Sequence, residues 1–236
     1  MPFLVAERRR QPEWMDQPDL DAQRHEQALQ GLARINSWSG GGRVFWPKLR
    51  ALAHVVADRP LRVLDLACGG GDGVIRLWRH AMQAGISLHI EGCDRSSTAI
   101  DHARRAAQSC DADVSFFSCD VLHDSLPEDY DVVLNSLFLH HLDEAEAVTF
   151  LRRAASVARR AFLISDLLRS PVGLVLAYAA TRILTRSPVV HFDGPASVRG
   201  AFTLVELRSL ARRAGLANAT VTRHLPCHMF LSWNQT

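Results

Sequence analysis

Three aspartates, each closing an apolar run, are the residues with the clearest chemical use. Asp65 lies in Val63-Leu64-Asp65-Leu66-Ala67-Cys68-Gly69-Gly70-Gly71-Asp72-Gly73, Asp94 ends Glu91-Gly92-Cys93-Asp94, and Asp120 sits in Phe117-Ser118-Cys119-Asp120-Val121. Side chains are absent from Gly69 to Gly71, so the backbone there can approach a nucleotide-like ligand closely. Asp94 follows the glycines by roughly twenty residues, the spacing at which a carboxylate accepts hydrogen bonds from both hydroxyls of a ribose. A dinucleotide-binding turn wants a third small residue, but Val74 stands at that position. A phosphate-binding loop would need a lysine, and Lys48, the only lysine in the chain, lies in no such motif.

A second group of residues is suited to moving protons. Asn135 lies near the end of the apolar run Tyr130–Ser136, and His140 and His141 follow it shortly. Farther on, His191, Asp193 and Arg199 are gathered among turn formers between Ser187 and Phe202. A neutral imidazole deprotonates a weakly acidic hydroxyl well near neutral pH. On this basis His141 and His191 are the expected bases, and His140, Asp193 and Arg199 the expected acceptor contacts. Adjacent histidines do not converge on one ion as an i, i+4 pair does, so no metal is expected.

The elements that must hold these residues are legible as an alternation of short apolar runs and helical periodicity. Strands are expected at Leu61–Ala67, Leu88–Cys93, Val114–Cys119, Tyr130–Ser136 and Ala161–Asp166, and helices at Asp72–Ala84, Ser96–Ser109 and Glu144–Ala158. That rhythm predicts an α/β, Rossmann-like, doubly wound sheet, mostly parallel, with the aspartates at the strand exits. Beyond Ser170 come an apolar helix over Val172–Leu184, an irregular stretch from Ser187 to Gly200, and a helix opened by Thr203 with Glu206 at capping-box spacing. Two last strands, Ala219–His224 and Met229–Trp233, predict seven in all, with an antiparallel edge. Residues 1–60 read as a leading helical segment, with a helix over Asp21–Ser37. Its Trp38, Phe45 and Trp46 either form a lid or pack on the sheet.

The stretch from Asp65 to Gly71 resembles motif I of the class I S-adenosylmethionine-dependent methyltransferases, written D-x-G-x-G-x-G, with Ala67 in place of the first glycine. The likeness covers most of Leu61–Asp166. It implies that Asp65 supports the loop and the methionine end of the cofactor, that Ala67, Cys68, Gly69 and Gly71 line its pocket, and that Asp94, followed by Arg95, takes the ribose. It further implies that Asp120 reaches the adenine amino group, with the backbone of Val121 against the ring, and that Asn135 belongs to the cofactor site. The turn [DN]-P-P-[YFW] of amino methyltransferases is missing after Asn135, and the His140-His141 pair is similar to that of many small-molecule methyltransferases, including those of quinone biosynthesis. The expected reaction is O-methylation of a small hydrophobic hydroxylated acceptor, with S-adenosyl-L-homocysteine as product. A non-catalytic cofactor-binding protein and a nicotinamide-dependent dehydrogenase are the competing readings.

Composition narrows the field further. With 236 residues, 47% of them hydrophobic, the chain can bury a core of its own. Its 27 Lys+Arg against 25 Asp+Glu give a formal charge of +2, without the basic excess of a nucleic-acid binder. Five scattered cysteines in no C-x-x-C pair predict reduced thiols and a cytoplasmic protein. No run reaches the length of a membrane span. The chain is accordingly divided into a segment over 1–60 and a methyltransferase domain over 61–236, with acceptor-binding elements inserted at about 168–202.

Overall fold

The computed structural model describes residues 5–17, 19–38 and 42–235, apart from the side chains of Asp16, Ser37 and Trp38, so a lid role for Trp38 lies outside the described residues. Seven strands form one sheet: β1 (Leu61–Leu66), β2 (Leu88–Asp94), β3 (Ser115–Ser118), β4 (Tyr130–Ser136), β5 (Ala158–Leu167), β6 (Thr220–His224) and β7 (His228–Asn234). Their order is β3-β2-β1-β4-β5-β7-β6. Strands β1 to β5 are parallel, and β7 runs antiparallel to both of its neighbours, one place in from the edge. The chain winds outward from β1 to β3 and then returns to β4. The β1/β4 boundary is therefore the switch point where open α/β sheets leave a crevice at their carboxyl ends.

Alternation along the strands feeds two cores. Leu64, Leu66, Phe162 and Ile164 face α5 (Glu144–Ser156) and α8 (Leu204–Arg213) through Phe150, Leu151, Leu207 and Leu210. Val63, Val132, Leu134 and Leu163 face the opposite layer, α2 (Trp46–Val55), α3 (Asp72–Gln83) and α4 (Ser97–Gln108), through Leu49, Val74, Leu77 and Ile100. Reciprocal capping boxes start two of these helices, Asp143 with Glu146 and Thr203 with Glu206. Phe45 is buried in the second core against Phe230, and Trp46 sets its ring edge against His80, so both are packing residues.

Three helices and a strap cover the carboxyl edge. They are α1 (Ala22–Trp38), α6 (Pro171–Leu184), α7 (Pro188–Gly200) and the extended residues 5–13, which lead into a 3-10 turn at Trp14–Asp16. The irregular stretch expected from Ser187 to Gly200 is instead the helix α7. Pro188 occupies its first turn, where no amide donor is required, and Gly194 lets it close on α6, since a Cβ there would meet Thr181 Cγ2 at 2.5 Å. The expected apolar wall, α6, turns Val172, Val175 and Ile183 outward and buries Gly173, Leu174 and Thr181.

The strap is stitched down by arginines. Arg8 donates to the carbonyls of Gly200, His140 and Leu142 and lies over the Phe202 ring. Arg169 donates from β5's exit to Val5, Ala6 and Ala201 and pairs with Glu206. Among the described residues no helix is long and apolar enough to cross a membrane, and all five cysteines are free thiols.

Candidate active site

The end of β1 turns sharply over the switch point. Ala67, Gly69 and Gly71 all have positive φ, at 55°, 54° and 75°. At Gly71 nothing larger is accommodated, because a Cβ would sit 2.7 Å from Phe116 Cζ and 2.8 Å from Ala103 Cβ. Gly71 caps α3, and Asp72, the first residue of that helix, pairs with Arg76. Cys68 is half-buried; its amide bonds the Cys93 carbonyl at 2.8 Å, and its sulfur fills the space left by the absent side chain of Gly92. The turn is thus braced from β2 and β3.

The predicted aspartates are arrayed along this edge. Asp94 accepts from Gly69 N–H at 3.0 Å and from Ser96 N–H at 2.9 Å, tying the glycine turn to the start of α4. Arg95 beside it is exposed. Asp120 accepts from Leu122 N–H and from His123 Nδ1, and Val121 is buried in the first core.

Asp65 and Asn135, neighbours across the switch point, are the unusual pair. Both are buried, and Asp65 Oδ1 and Asn135 Oδ1 have no hydrogen-bond partner among the described residues. Asn135 Nδ2 is spent on the Leu66 carbonyl at 2.7 Å, which fixes its oxygen. Burial, with the charges of Asp72 and Asp94 nearby, pushes the Asp65 carboxyl up to about 7. Two unmet buried acceptors on a folded edge each cost stability until a donor arrives.

The histidines form a second cluster. His140 is buried; its Nδ1 meets Asp166 Oδ1 at 2.6 Å, and its amide donates to Asp166 Oδ2 at 3.1 Å. On the other side its Nε2 lies 3.6 Å from Glu13 Oε1, and His141 Nε2 lies 3.9 Å from Glu13 Oε2. Burial works against charge on His140, but the flanking carboxylates of Asp166 and Glu13 outweigh it and raise the imidazole to about 10. The expectation that adjacent histidines point apart fails here: the rings are tilted by 33° with centroids 4.3 Å apart, and both present Nε2 to one carboxylate.

The remaining residues are in the cap. Asp193 is buried and accepts from the amides of Trp14 and Met15, so it anchors the strap. His191 Nε2 donates to the Thr185 carbonyl at 2.9 Å, leaving Nδ1 as the basic nitrogen. His191 and Arg199 line a cavity of about 370 Å³ with Trp14, Tyr178, Arg182 and Phe192. Arg199 donates to the Tyr178 hydroxyl at 3.2 Å, and Trp14 stacks on Phe192 with ring centroids 4.5 Å apart.

A family model, described as a methyltransferase domain, matches residues 63–161, the span of β1, β2, β3 and β4, the turn and both clusters' sheet residues up to the start of β5. The fold is that of a class I S-adenosylmethionine-dependent methyltransferase. Among solved structures, magnesium protoporphyrin IX methyltransferase from Synechocystis PCC 6803 with bound SAM superposes with a TM-score of 0.54 at 18% identity, over 93% of this chain and 100% of that one. The plantazolicin methyltransferase BamL, in complex with a triazolic desmethylPZN analog and SAH, gives 0.60 at 12% identity over 89% and 96%. An O-methyltransferase family 2 protein from Planctomyces limnophilus DSM 3776, in complex with apigenin, gives 0.53 at 18% identity, covering 74% of this chain and 51% of that chain. At such identities the likeness is one of fold. A search of curated proteins gives no match.

Within this fold Asp65 and Asn135 flank the switch point and Asp94 is tied to its glycine turn, whereas His191, Asp193 and Arg199 belong to the cap. Glu13 and Asp166 were missed from sequence. Asp166 had a readable signal, another aspartate at a strand exit, but Glu13 sits in a polar leader and acquires meaning only when the strap crosses the histidines.

Proposed function

We propose that the protein transfers a methyl group from S-adenosylmethionine to a hydroxyl oxygen of a small, largely apolar acceptor. The observation that carries the reading is the pair of unpartnered buried oxygens, Asp65 Oδ1 and Asn135 Oδ1, beside a glycine turn at the switch point. They suit the ammonium end of an amino-acid-bearing nucleoside. A dinucleotide brings a pyrophosphate instead, and its pyridinium cation has no N–H to donate to them.

S-adenosylmethionine, when bound, supplies an electrophilic methyl on a sulfonium. Asp65 and Asn135 hold its amino group, Asp94 its ribose hydroxyls, and Asp120 with the Val121 backbone its adenine. Chain residues then contribute alignment of acceptor oxygen, methyl carbon and sulfur, together with exclusion of water by the strap and α1, which supply much of the acceleration in a displacement of this kind. The cavity between the strap, α6 and α7 would receive the acceptor, its aromatic walls suiting a ring and Arg199 its polar end. His191 Nδ1 takes the hydroxyl proton, its orientation set by the bond from Nε2 to Thr185.

The test is incubation with methyl-labelled S-adenosylmethionine and a panel of phenols and quinols, with the labelled product located by NMR. Label on oxygen supports the proposal and label on carbon replaces O- by C-methylation. Binding of S-adenosylhomocysteine with no turnover across the panel favours a non-catalytic binder, and thermal stabilisation by NAD alone favours a dehydrogenase. His191→Ala should lower kcat by about 100-fold or more, the usual contribution of a general base, with cofactor affinity unchanged.

A further inference from the structure

We infer that Glu13, His140 and His141 form a binding site for a divalent transition-metal ion of the zinc class. One ligand atom from each lies within 4.8 Å of the other two. Zinc binds imidazole nitrogen and carboxylate oxygen at roughly 2.0–2.2 Å, which places tetrahedral ligand atoms about 3.4 Å apart. His140 Nε2 lies 3.6 Å from Glu13 Oε1 and His141 Nε2 lies 3.9 Å from Glu13 Oε2, each near that edge length though to different oxygens of the carboxylate. Glu13 Oε1 also accepts from the Ser197 hydroxyl, which holds the carboxylate in place between the two rings.

Two further observations point to a ligand. First, His140 already has an outer partner: Asp166 fixes Nδ1 at 2.6 Å, so Nε2 is directed at Glu13. A carboxylate behind a histidine is the usual support of a metal ligand, setting its tautomer and raising its basicity. Asp166 is itself fixed, accepting from the amides of His140 and Leu167. Second, the charges balance. Glu13 and Asp166 set two buried carboxylates against the His140 ring, and a divalent cation taking the place of the proton on Nε2 would match them in charge. The guanidinium groups of Arg8 and Arg10 are held on the backbone carbonyls of His140 and His141. Two nitrogens and one oxygen select zinc, cobalt or their neighbours over magnesium, and the partial exposure of His141, whose side chain is 24% accessible, leaves a side for a fourth ligand.

The proposal stands apart from the methyltransferase reading, and its test keeps them separate. Full-length protein, stripped with chelator, is titrated with Zn2+ by calorimetry and with Co2+ by visible absorption, with Mg2+ as control. One Zn2+ per chain, a four-coordinate cobalt spectrum and no magnesium uptake are expected. Glu13→Gln and His141→Gln should each weaken Zn2+ by at least about 100-fold, the upper end of what outer-shell changes cost, while S-adenosylhomocysteine still binds. Failure to take up Zn2+, or uptake undiminished in both variants, overturns the site and leaves a proton as the species shared by Glu13 and His140. Should the variants lose their fold, the wild-type cobalt spectrum decides, an octahedral or absent signal counting against the proposal. Loss of S-adenosylhomocysteine binding by the wild-type protein would instead overturn the methyltransferase reading alone.

Discussion

Asp65 is a carboxylic acid held half-titrated near neutrality by its own burial, and this makes cofactor affinity depend on pH. Burial, with the charges of Asp72 and Asp94, holds the folded carboxyl at about 7, well above the ordinary carboxylate range. Its contribution to the stability of the ligand-free protein is therefore full below the unfolded carboxylate range and is lost as pH rises through about 7. Binding of an ammonium group has the opposite sign, since it needs the carboxylate. Affinity for S-adenosylhomocysteine should rise from pH 6 to pH 8 and then level off, and the rise should vanish in Asp65→Asn; calorimetry at several pH values checks both. Ala67 gives a second prediction at this scale. It holds φ at 55° with a Cβ, a conformation costing an L-residue about 1–2 kcal/mol. After the greater chain entropy of glycine is deducted, Ala67→Gly should stabilise the protein by roughly 0.5–1 kcal/mol in urea unfolding. The three aspartates and the turn were readable because strand exits and glycines are local signals. The Asp166–His140–Glu13 row was not, since it joins β5's exit, the turn after β4 and the strap.

At the level of elements, the glycine turn is a rigid joint between β1 and α3. Gly71→Ala would add a Cβ against Phe116 and Ala103 at a φ of 75°. Overpacking and backbone strain together should cost about 3 kcal/mol, measured as a fall in the urea midpoint along with weaker S-adenosylhomocysteine binding. By contrast, Asp143→Ala removes a capping box on α5, far from the turn, and should cost about 1 kcal/mol with ligand binding intact. The strands and the capped helices followed the expected bounds closely because period and capping are encoded within each segment. Helix α7 did not, because Pro188, Gly194 and Pro195 read as turn formers when taken alone. Its helicity is imposed from outside, by Thr181 of α6 pressing on Gly194 and by Asp193 and Ser197 reaching the strap.

Across the whole molecule, the strap and cap hang on a few arginines. Arg169 is buried and bonds residues from both ends of the chain, Val5 and Ala6 on one side and Ala201 and Glu206 on the other. Arg169→Ala removes the ion pair of the part-exposed Glu206 and leaves the carbonyls of Val5, Ala6 and Ala201 without their donor, and should cost about 2–3 kcal/mol. Limited proteolysis should then cut first within residues 5–17, ahead of any site in the sheet. The arrangement of α1 bears on traffic through the site. A Cβ on Gly70 would lie 3.4 Å from Leu29 Cδ2, so this helix rests directly on the glycine turn, and its links to α4, from Glu26 to His102 and Arg105, are loose ion pairs of 3.7 and 4.0 Å. On the proposed reading, release of spent nucleoside involves movement of that helix, so departure should be sensitive to the friction of the solvent. Added sucrose is expected to slow multiple turnover more than a single round.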